Sequence, residues 1–219
     1  VCTITGSGAL SFVTAGSCTI NADQPGDAAT NAATTVSRTF TVNAVVPGAP
    51  TVATATAGDS QASVSFTAPA NTGGTTITGY TVTSNPGGFT GTSAGSPIVV
   101  TGLTNGTPYT FTITATNSAG TGAASAASNS ITPAAPQTIT FANPGAQNFG
   151  TTPTLTATSD SGLTPTFTSS TTGVCTVTSG GALTFVTAGT CTINADQAGD
   201  SSYLPATQVS RSFTVNPVA

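Results

Sequence analysis

The sequence predicts an all-β protein made of tandem β-sandwich domains, arranged like beads on a string, and three observations support this. Apolar residues make up 37% of the 219 residues, too many for a disordered chain, and they alternate with threonine in short runs. Threonine is β-branched and favours strands. Twenty-five glycines and fourteen prolines separate the runs, and no window places apolar residues at helical spacing over three turns.

The first and last parts of the chain are copies of one repeat. Residues 1–46 return as residues 174–219 without insertion or deletion, and about two thirds of the aligned positions are identical. The shift of 173 residues exceeds one small domain, so the repeating unit should hold two different domains in alternation. The first copy has no counterpart of residues 137–173, and we therefore expect the sequence to be a window from a longer tandem array.

Two short junctions that contain proline, residues 46–50 and 133–136, divide the chain into three segments. We interpret residues 1–45 as the C-terminal part of one domain, residues 46–135 as a complete domain, and residues 136–219 as a second complete domain. Because proline restricts the backbone, we expect both joints to be semi-rigid rather than flexible.

The middle segment contains three strand motifs. Residues 63–69 read Ser-Val-Ser-Phe-Thr-Ala-Pro, residues 77–82 read Ile-Thr-Gly-Tyr-Thr-Val, and residues 101–117 include Leu-Thr-Asn-Gly-Thr-Pro-Tyr. Together these motifs resemble a fibronectin type III domain, in which the first two form strands B and C. Phe66 stands where that family usually has tryptophan.

This resemblance implies structural roles for four residues of the middle segment. Leu103 and Tyr109 bracket a tight connection, and the tyrosine hydroxyl is expected to hydrogen-bond back to the turn backbone, as in a tyrosine corner. Phe66 is expected in the core, and alternation along strand C places Tyr80 there as well. From Tyr109 onward, the odd-numbered residues to Ala115 are also predicted to face the core.

The outer segment is similar to bacterial immunoglobulin-like repeats, which alternate with fibronectin type III modules in very large secreted proteins. Its predicted strands lie at residues 137–141, 155–158, 166–168, 174–178, 182–186 and 190–195. Alternation within the last three strands places Cys175, Leu183 and Cys191 on inward faces. Residues 1–45 correspond to the second half of such a domain.

The four cysteines form two pairs with the same spacing, Cys2 with Cys18 and Cys175 with Cys191. In an all-β chain without lysine, this pattern favours a disulfide within each copy and an oxidising location, either secreted or at the cell surface; free buried thiols are the alternative. Closing a loop of about 16 residues would stabilise the domain by roughly 3 kcal/mol.

Each copy of the repeat contains one arginine, Arg38 or Arg211. Each lies two residues before a phenylalanine, Phe40 or Phe213, and so on the strand face predicted to point towards the core. An unpaired guanidinium beside a core would be costly, so each is predicted to form an ion pair with an aspartate of the same hairpin. The candidate partners are Asp23 or Asp27 for Arg38, and Asp196 or Asp200 for Arg211.

The composition argues against catalysis. The chain has no histidine, lysine or glutamate, so it lacks the usual general bases and imidazole metal ligands, and the cysteine spacing does not fit a zinc site. The aspartates four residues apart, such as Asp196 and Asp200, are better interpreted as solvated turn residues than as a glycosidase pair or a weak calcium site. We therefore expect no enzymatic activity and no cofactor or metal.

A net charge of −4 argues against nucleic acid as a partner, and no apolar run is long enough to insert into a membrane. The predicted function is that of a structural spacer, stalk or fibre segment in a large secreted bacterial surface protein, such as an adhesin or an extracellular filament. Expected partners are adjacent repeats of the same polypeptide or identical neighbouring chains in a fibre, and no other ligand is indicated. The alternative is an accessory region of a large secreted glycan hydrolase.

The partial first domain carries a separate expectation. Without strands equivalent to residues 137–173, residues 1–45 should expose an apolar sheet face that includes Phe12, Ile20, Phe40 and Val42. An upstream segment of the same polypeptide is the favoured way to complete it, and strand donation by a neighbouring chain is the alternative.

Overall fold

In a computed structural model, which describes residues 1–52 and 54–218, the chain forms nineteen β-strands and no helix within the described residues. This confirms the all-β prediction, and the strands build tandem β-sandwich domains. No described helix is long and apolar enough to cross a membrane. Ala53 and Ala219, which fall inside the predicted domains 46–135 and 136–219, lie outside the described residues.

The chain divides into two compact units. One consists of Val1–Thr56, Ala62–Gly102 and Tyr109–Ile131; the other consists of Ala57–Gln61, Leu103–Pro108 and Thr132–Ala219. The first unit therefore combines residues 1–45 with most of the middle segment. The division into domains at residues 46 and 136 stays a prediction.

Residues 1–45 form two antiparallel hairpins. Strand β1 (Cys2–Ile4) pairs with β2 (Leu10–Phe12), and β3 (Gly16–Ala22) pairs with β4 (Val36–Val42). Most side chains of these four strands are exposed, and Cys18 is the fully buried one among them. These hairpins therefore do not enclose a core of their own.

The middle segment forms two sheets. Its strands are β5 (Thr51–Gly58), β6 (Gln61–Thr67), β7 (Gly79–Asn85), β8 (Thr90–Ser93), β9 (Ile98–Thr101), β10 (Thr110–Asn117) and β11 (Gly120–Thr121). One sheet has the order β5-β6-β9 and the other has the order β11-β10-β7-β8. In β10, Phe111, Ile113 and Ala115 are fully buried between half-buried threonines, as the alternation predicts.

The last segment adds eight strands. They are β12 (Ile139–Phe141), β13 (Gln147–Asn148), β14 (Ala157–Ser159), β15 (Thr166–Ser169), β16 (Cys175–Val177), β17 (Leu183–Phe185), β18 (Gly189–Asp196) and β19 (Val209–Asn216). The main sheet has the order β13-β19-β18-β15, with β13 parallel to β19 and the other neighbours antiparallel. Strands β12 and β14 form one further pair, and β16 and β17 form another.

One apolar core lies inside this last segment. Side chains from β12 and β15 pack with those of β16 to β19 in a single cluster, which includes Phe141, Phe167, Phe185, Phe213 and both cysteines. Cys175, Leu183 and Cys191 all belong to it, which confirms the predicted strand parity. The first half of the repeat, residues 137–173, therefore supplies one side of the core that residues 174–218 close.

Candidate functional site

Both predicted disulfides are present within their own copies of the repeat. Cys2 is bonded to Cys18 and Cys175 to Cys191, with Cα–Cα distances of 5.8 and 5.7 Å. In the second copy the bond ties the small β16–β17 pair to β18 of the main sheet, and both cysteines are fully buried. The bond therefore fixes a peripheral hairpin against the core.

The predicted arginine–aspartate ion pairs are wrong. Arg211 donates from Nε to the carbonyl oxygen of Phe141 at 3.0 Å and from Nη1 to the carbonyl oxygen of Ser210 at 3.1 Å. Arg38 is exposed and donates to the carbonyl oxygen of Ser37 at 3.2 Å. Within the described part of the chain, neither guanidinium is paired with a carboxylate. Arg211 thus bonds to backbone carbonyl groups rather than to a carboxylate.

The aspartates named as possible partners accept hydrogen bonds from their own loops instead. Asp200 accepts from the backbone N–H groups of Ser202 at 2.7 Å and Tyr203 at 3.0 Å, and Asp196 accepts from Nε2 of Gln208 at 2.7 Å. The two bonds that Asp200 accepts mimic a backbone turn, whereas the bond to Asp196 joins the two ends of the loop between β18 and β19. In the part of the chain that the structure describes, no group of three or more Asp, Glu, His or Cys side chains is placed to hold a metal ion.

Asp27 plays the same role in the first copy. It accepts hydrogen bonds from the backbone N–H groups of Ala29 and Thr30 and from the Thr30 hydroxyl, at 2.8 to 2.9 Å. The bond from the Ala29 backbone, followed by those from Thr30, lowers the pKa of Asp27 below its usual value. Asp27 therefore stabilises its own turn.

Asp160 fastens the start of the last domain. Its carboxylate accepts from the Thr138 backbone N–H at 2.9 Å and from the Thr138 hydroxyl at 2.7 Å. These two bonds join the turn after β14 to the residue before β12. The backbone bond, and then the hydroxyl bond, lower the pKa of Asp160 below 3.8.

We expect the stability of this domain to fall in acid partly because of Asp160. A carboxyl with a lowered folded-state pKa stabilises the fold above its unfolded value near 3.8, and this contribution is lost as the pH falls through the folded value. Asp160→Asn should therefore lower the free energy of unfolding at pH 7. Below about pH 4, the free energy of unfolding of this variant should depend less on pH than that of the unmodified chain. Denaturant unfolding at a series of pH values measures this effect. Thr138→Val removes the hydroxyl donor but keeps the backbone donor, so it should lower the free energy of unfolding by less. An unaltered pH profile in Asp160→Asn would contradict the assignment.

The end of the first segment is hydrogen-bonded to the 71–74 loop and to the last residue of β10 in the middle segment; we call this contact the first joint. The Val45 N–H donates to the carbonyl oxygen of Gly73 at 3.0 Å, and the Val45 carbonyl accepts from Nδ2 of Asn117 at 2.7 Å. The same amide group also donates to the carbonyl oxygen of Thr72 at 2.9 Å, and Ala15 donates to Gly74 at 2.8 Å. Asn117 is 4% exposed, so its side chain is buried where it makes these two bonds to Val45 and Thr72.

Gly73 is required by this geometry. Its φ is +75°, and a Cβ at this position would overlap the Val45 carbonyl group and contact Nδ2 of Asn117. The left-handed conformation and the close backbone approach both exclude other side chains. The first joint is therefore a close contact between specific groups of the two segments rather than a flexible linker.

The junction before the last domain is also hydrogen-bonded; we call this contact the second joint. Gly106 donates to the carbonyl oxygen of Pro133 at 2.9 Å, and Ala135 donates to Ser202 and accepts from Leu204, both at 2.8 Å. Gln137, which is buried, donates from Nε2 to the carbonyl oxygen of Leu204 at 2.8 Å. The short linker thus continues as an ordered strand-like segment.

The four residues singled out in the middle domain are all buried. The rings of Phe66 and Tyr80 are in tilted contact at a centroid distance of 4.7 Å, and Leu103 and Tyr109 are each 3% exposed. The Tyr109 ring also contacts Phe89 edge to face at 6.1 Å. The predicted bond from the Tyr109 hydroxyl to the turn backbone stays a prediction.

Sequence reasoning missed Asn117 and Gly73, although they bear most of the first joint. The available signal was weak: an Asn-Ser pair at a strand end and a Gly-Gly pair in a loop predict turns, and turns alone account for both. Their long-range partners become visible only when the strands are assembled.

Comparison with known proteins agrees with this architecture in its middle part. Residues 30–131 match the sequence profile of the fibronectin type III domain, a range that begins before Val46. No curated protein matches the chain.

Several solved structures are similar to parts of the chain. A crystal structure of domains from titin is 24% identical over 45% of this chain and 36% of that chain, with a TM-score of 0.39. The twitchin kinase region from C. elegans is 25% identical over 41% and 17%, with a TM-score of 0.37. The FN1-FN3 domains of chicken CNTN1 are 16% identical over 78% and 67%, with a TM-score of 0.37. The chain thus spans about a third of the titin structure and less of the twitchin structure.

The profile match and the two sheets of three and four strands fall on the same stretch of sequence. Residues 30–131 are therefore similar to a fibronectin type III domain.

Proposed function

We propose that the chain is a non-catalytic spacer in a large extracellular or cell-surface protein, of the adhesin or filament type found in bacteria. The observation that carries this proposal is the first joint, in which both backbone polar groups of Val45 bond to the fibronectin type III domain. A spacer holds the modules at its two ends at a fixed distance only if it resists bending at its joints. Short junctions that are hydrogen-bonded to the neighbouring module meet that requirement better than a flexible linker does.

The remaining features support the same function. Two intact disulfides suit an oxidising exterior. Asp200 accepts bonds from its own turn. Phe66, Tyr80, Tyr109 and Phe111 are buried in the fibronectin type III domain. The bacterial setting rests on the resemblance of the outer segment to bacterial immunoglobulin-like repeats.

The first joint can be tested by substitution. Gly73→Ala should separate the first segment from the fibronectin type III domain, because its Cβ would overlap the Val45 carbonyl group. Gly88→Ala is the matched control: Gly88 also has positive φ, at +61°, but a Cβ added there would have no neighbour within 4 Å. Both variants carry the same kind of backbone strain, and only the first disturbs the joint.

The measurement is a distance distribution between spectroscopic labels at Ser7 and Ala94, both exposed and both in the first unit. We expect a narrow distribution for the unmodified chain and for Gly88→Ala, and a broad one for Gly73→Ala. A distribution in the unmodified chain as broad as that of a flexible glycine-serine linker would overturn the spacer function.

A further inference from the structure

The first 45 residues present an apolar face that the second copy of the same sequence buries. The exposed fractions are 59% for Phe12 against 8% for Phe185, 38% for Phe40 against 6% for Phe213, and 38% for Leu10 against 2% for Leu183. Ile20 and Val42 are half-buried, whereas their counterparts Ile193 and Val215 are at most 1% exposed. Identical residues on identically paired strands thus differ in burial, so the difference comes from what covers them.

In the second copy, the covering residues come from the first half of the repeat. Ile139, Phe141, Leu155 and Phe167 project into the core, and the rings of Phe141 and Phe167 pack at 5.4 Å. Each of these four side chains is at most 9% exposed. The apolar face of the second copy is therefore closed by one contiguous stretch, residues 137–173.

The strand edges show the same difference. Strands β18 and β19 lie in the middle of a four-stranded sheet, with β15 on one side and β13 on the other. Their counterparts β3 and β4 form a two-stranded sheet within the described residues, so both outer edges carry unpaired backbone groups. The pairing positions follow from the shift of 173 residues between the two copies. A strand equivalent to β15 would pair along residues 20–23, and one equivalent to β13 would pair along residues 42–43. Open edges of this kind recruit another strand.

Two local features agree with this assignment. A cavity of about 290 Å³ lies between Val42 and Asn43 on one side and Gly73 and Gly74 of the first joint on the other, and the counterparts Val215 and Asn216 pair with β13. Arg38 donates to its own neighbour Ser37, whereas its counterpart Arg211 also donates to the Phe141 carbonyl in β12. A strand equivalent to β12 would supply the same acceptor to Arg38.

We propose that this face is the docking surface for a segment of the same polypeptide with the sequence pattern of residues 137–173, which we call the donor segment. In the second copy, the segment in the equivalent place is residues 137–173, which directly precede the residues that they cover. The chain's own residues 137–173 are committed to their own core, so a second copy could donate them only by exposing Phe141 and Phe167. The inference is independent of the spacer function, because it concerns how one domain is completed.

The test is a chain in which residues 137–173 are placed directly before Val1 of the full sequence, compared with the unextended chain. We expect amide exchange along β3 and β4 to slow on the order of 100-fold or more, towards the rates of β18 and β19. In the extended chain, Phe40→Asp should abolish this protection. Thr41→Asp, on the exposed outer face of the same strand, should preserve it.

Three results would overturn the proposal. The first is unchanged exchange of β3 and β4 in the extended chain. The second is equal loss of protection in Phe40→Asp and Thr41→Asp, which would show that the apolar face is not the contact. The third is a dimer of the unextended chain in which β3 and β4 are already protected, since a second copy would then be the occupant. The joint experiment with Gly73→Ala is unaffected by any of these outcomes, so the two proposals fail separately.

Discussion

Phe213→Ala is expected to destabilise the last domain by about 3–5 kcal/mol, whereas Phe40→Ala at the equivalent position should cost about 1 kcal/mol or less. Phe213 is 6% exposed and packs against Phe185 at a centroid distance of 6.4 Å inside a closed core. Its removal loses apolar burial and leaves a cavity. Phe40 contacts Phe12 at a similar distance of 6.1 Å, but solvent already reaches both rings.

The pair of variants is informative because sequence and strand register are matched. Phe213 lies opposite Cys191, and Phe40 lies opposite Cys18 in the same antiparallel register. Native-state hydrogen exchange at Ile193 and Ile20, followed against denaturant, measures the two local stabilities within one molecule. Equal costs for both substitutions would show that the first copy is covered as fully as the second.

Alternation of apolar residues with threonine predicted several of the strands and their inward faces. Phe111, Ile113 and Ala115 are buried as their spacing predicts, and so are Cys175 and Cys191. This succeeds because the side-chain period of a strand is two, so one buried position fixes the face of its neighbours. The disulfides follow for the same reason, since two inward cysteines close in sequence are brought together on adjacent elements.

The arginine prediction failed because it counted side chains and not backbone acceptors. The nearest carboxylates along the hairpin were already used by their own turns, as Asp200 shows with its bonds to Ser202 and Tyr203. The acceptor of Arg211 is the Phe141 carbonyl, 70 residues earlier in the chain. Every residue has a carbonyl group, so residue identity gives no sign of which one a guanidinium will reach.

The first joint was beyond prediction for a related reason. Asn117 bonds to Val45 and Thr72, which are 72 and 45 residues away in sequence. The presence of proline predicted a semi-rigid junction, but the contact depends on where two loops meet after the sandwich has formed. Gly73 is informative in retrospect, because its φ of +75° and its approach to Val45 together leave no room for a side chain.

The disulfide of the last domain is expected to contribute about 3 kcal/mol to its stability, so Cys175→Ala with Cys191→Ala should lower the free energy of unfolding by that amount. The bond closes a sequence separation of 16 residues. Without it the unfolded chain gains conformational freedom that the folded domain does not share. The β16–β17 pair would also lose its covalent attachment to β18, which makes that hairpin the first part to open.

Denaturant unfolding of the double variant, compared with the unmodified chain in the presence and absence of a thiol reductant, measures this contribution. Reduction should bring the unmodified chain close to the variant, since both then lack the same cross-link. The matched control is Cys2→Ala with Cys18→Ala, which removes the equivalent bond of the first copy and should leave the unfolding of the last domain unchanged. If the Cys175 and Cys191 variant instead loses less than about 1 kcal/mol, the apolar core alone holds the hairpin, and the bond is incidental to the stability of the domain.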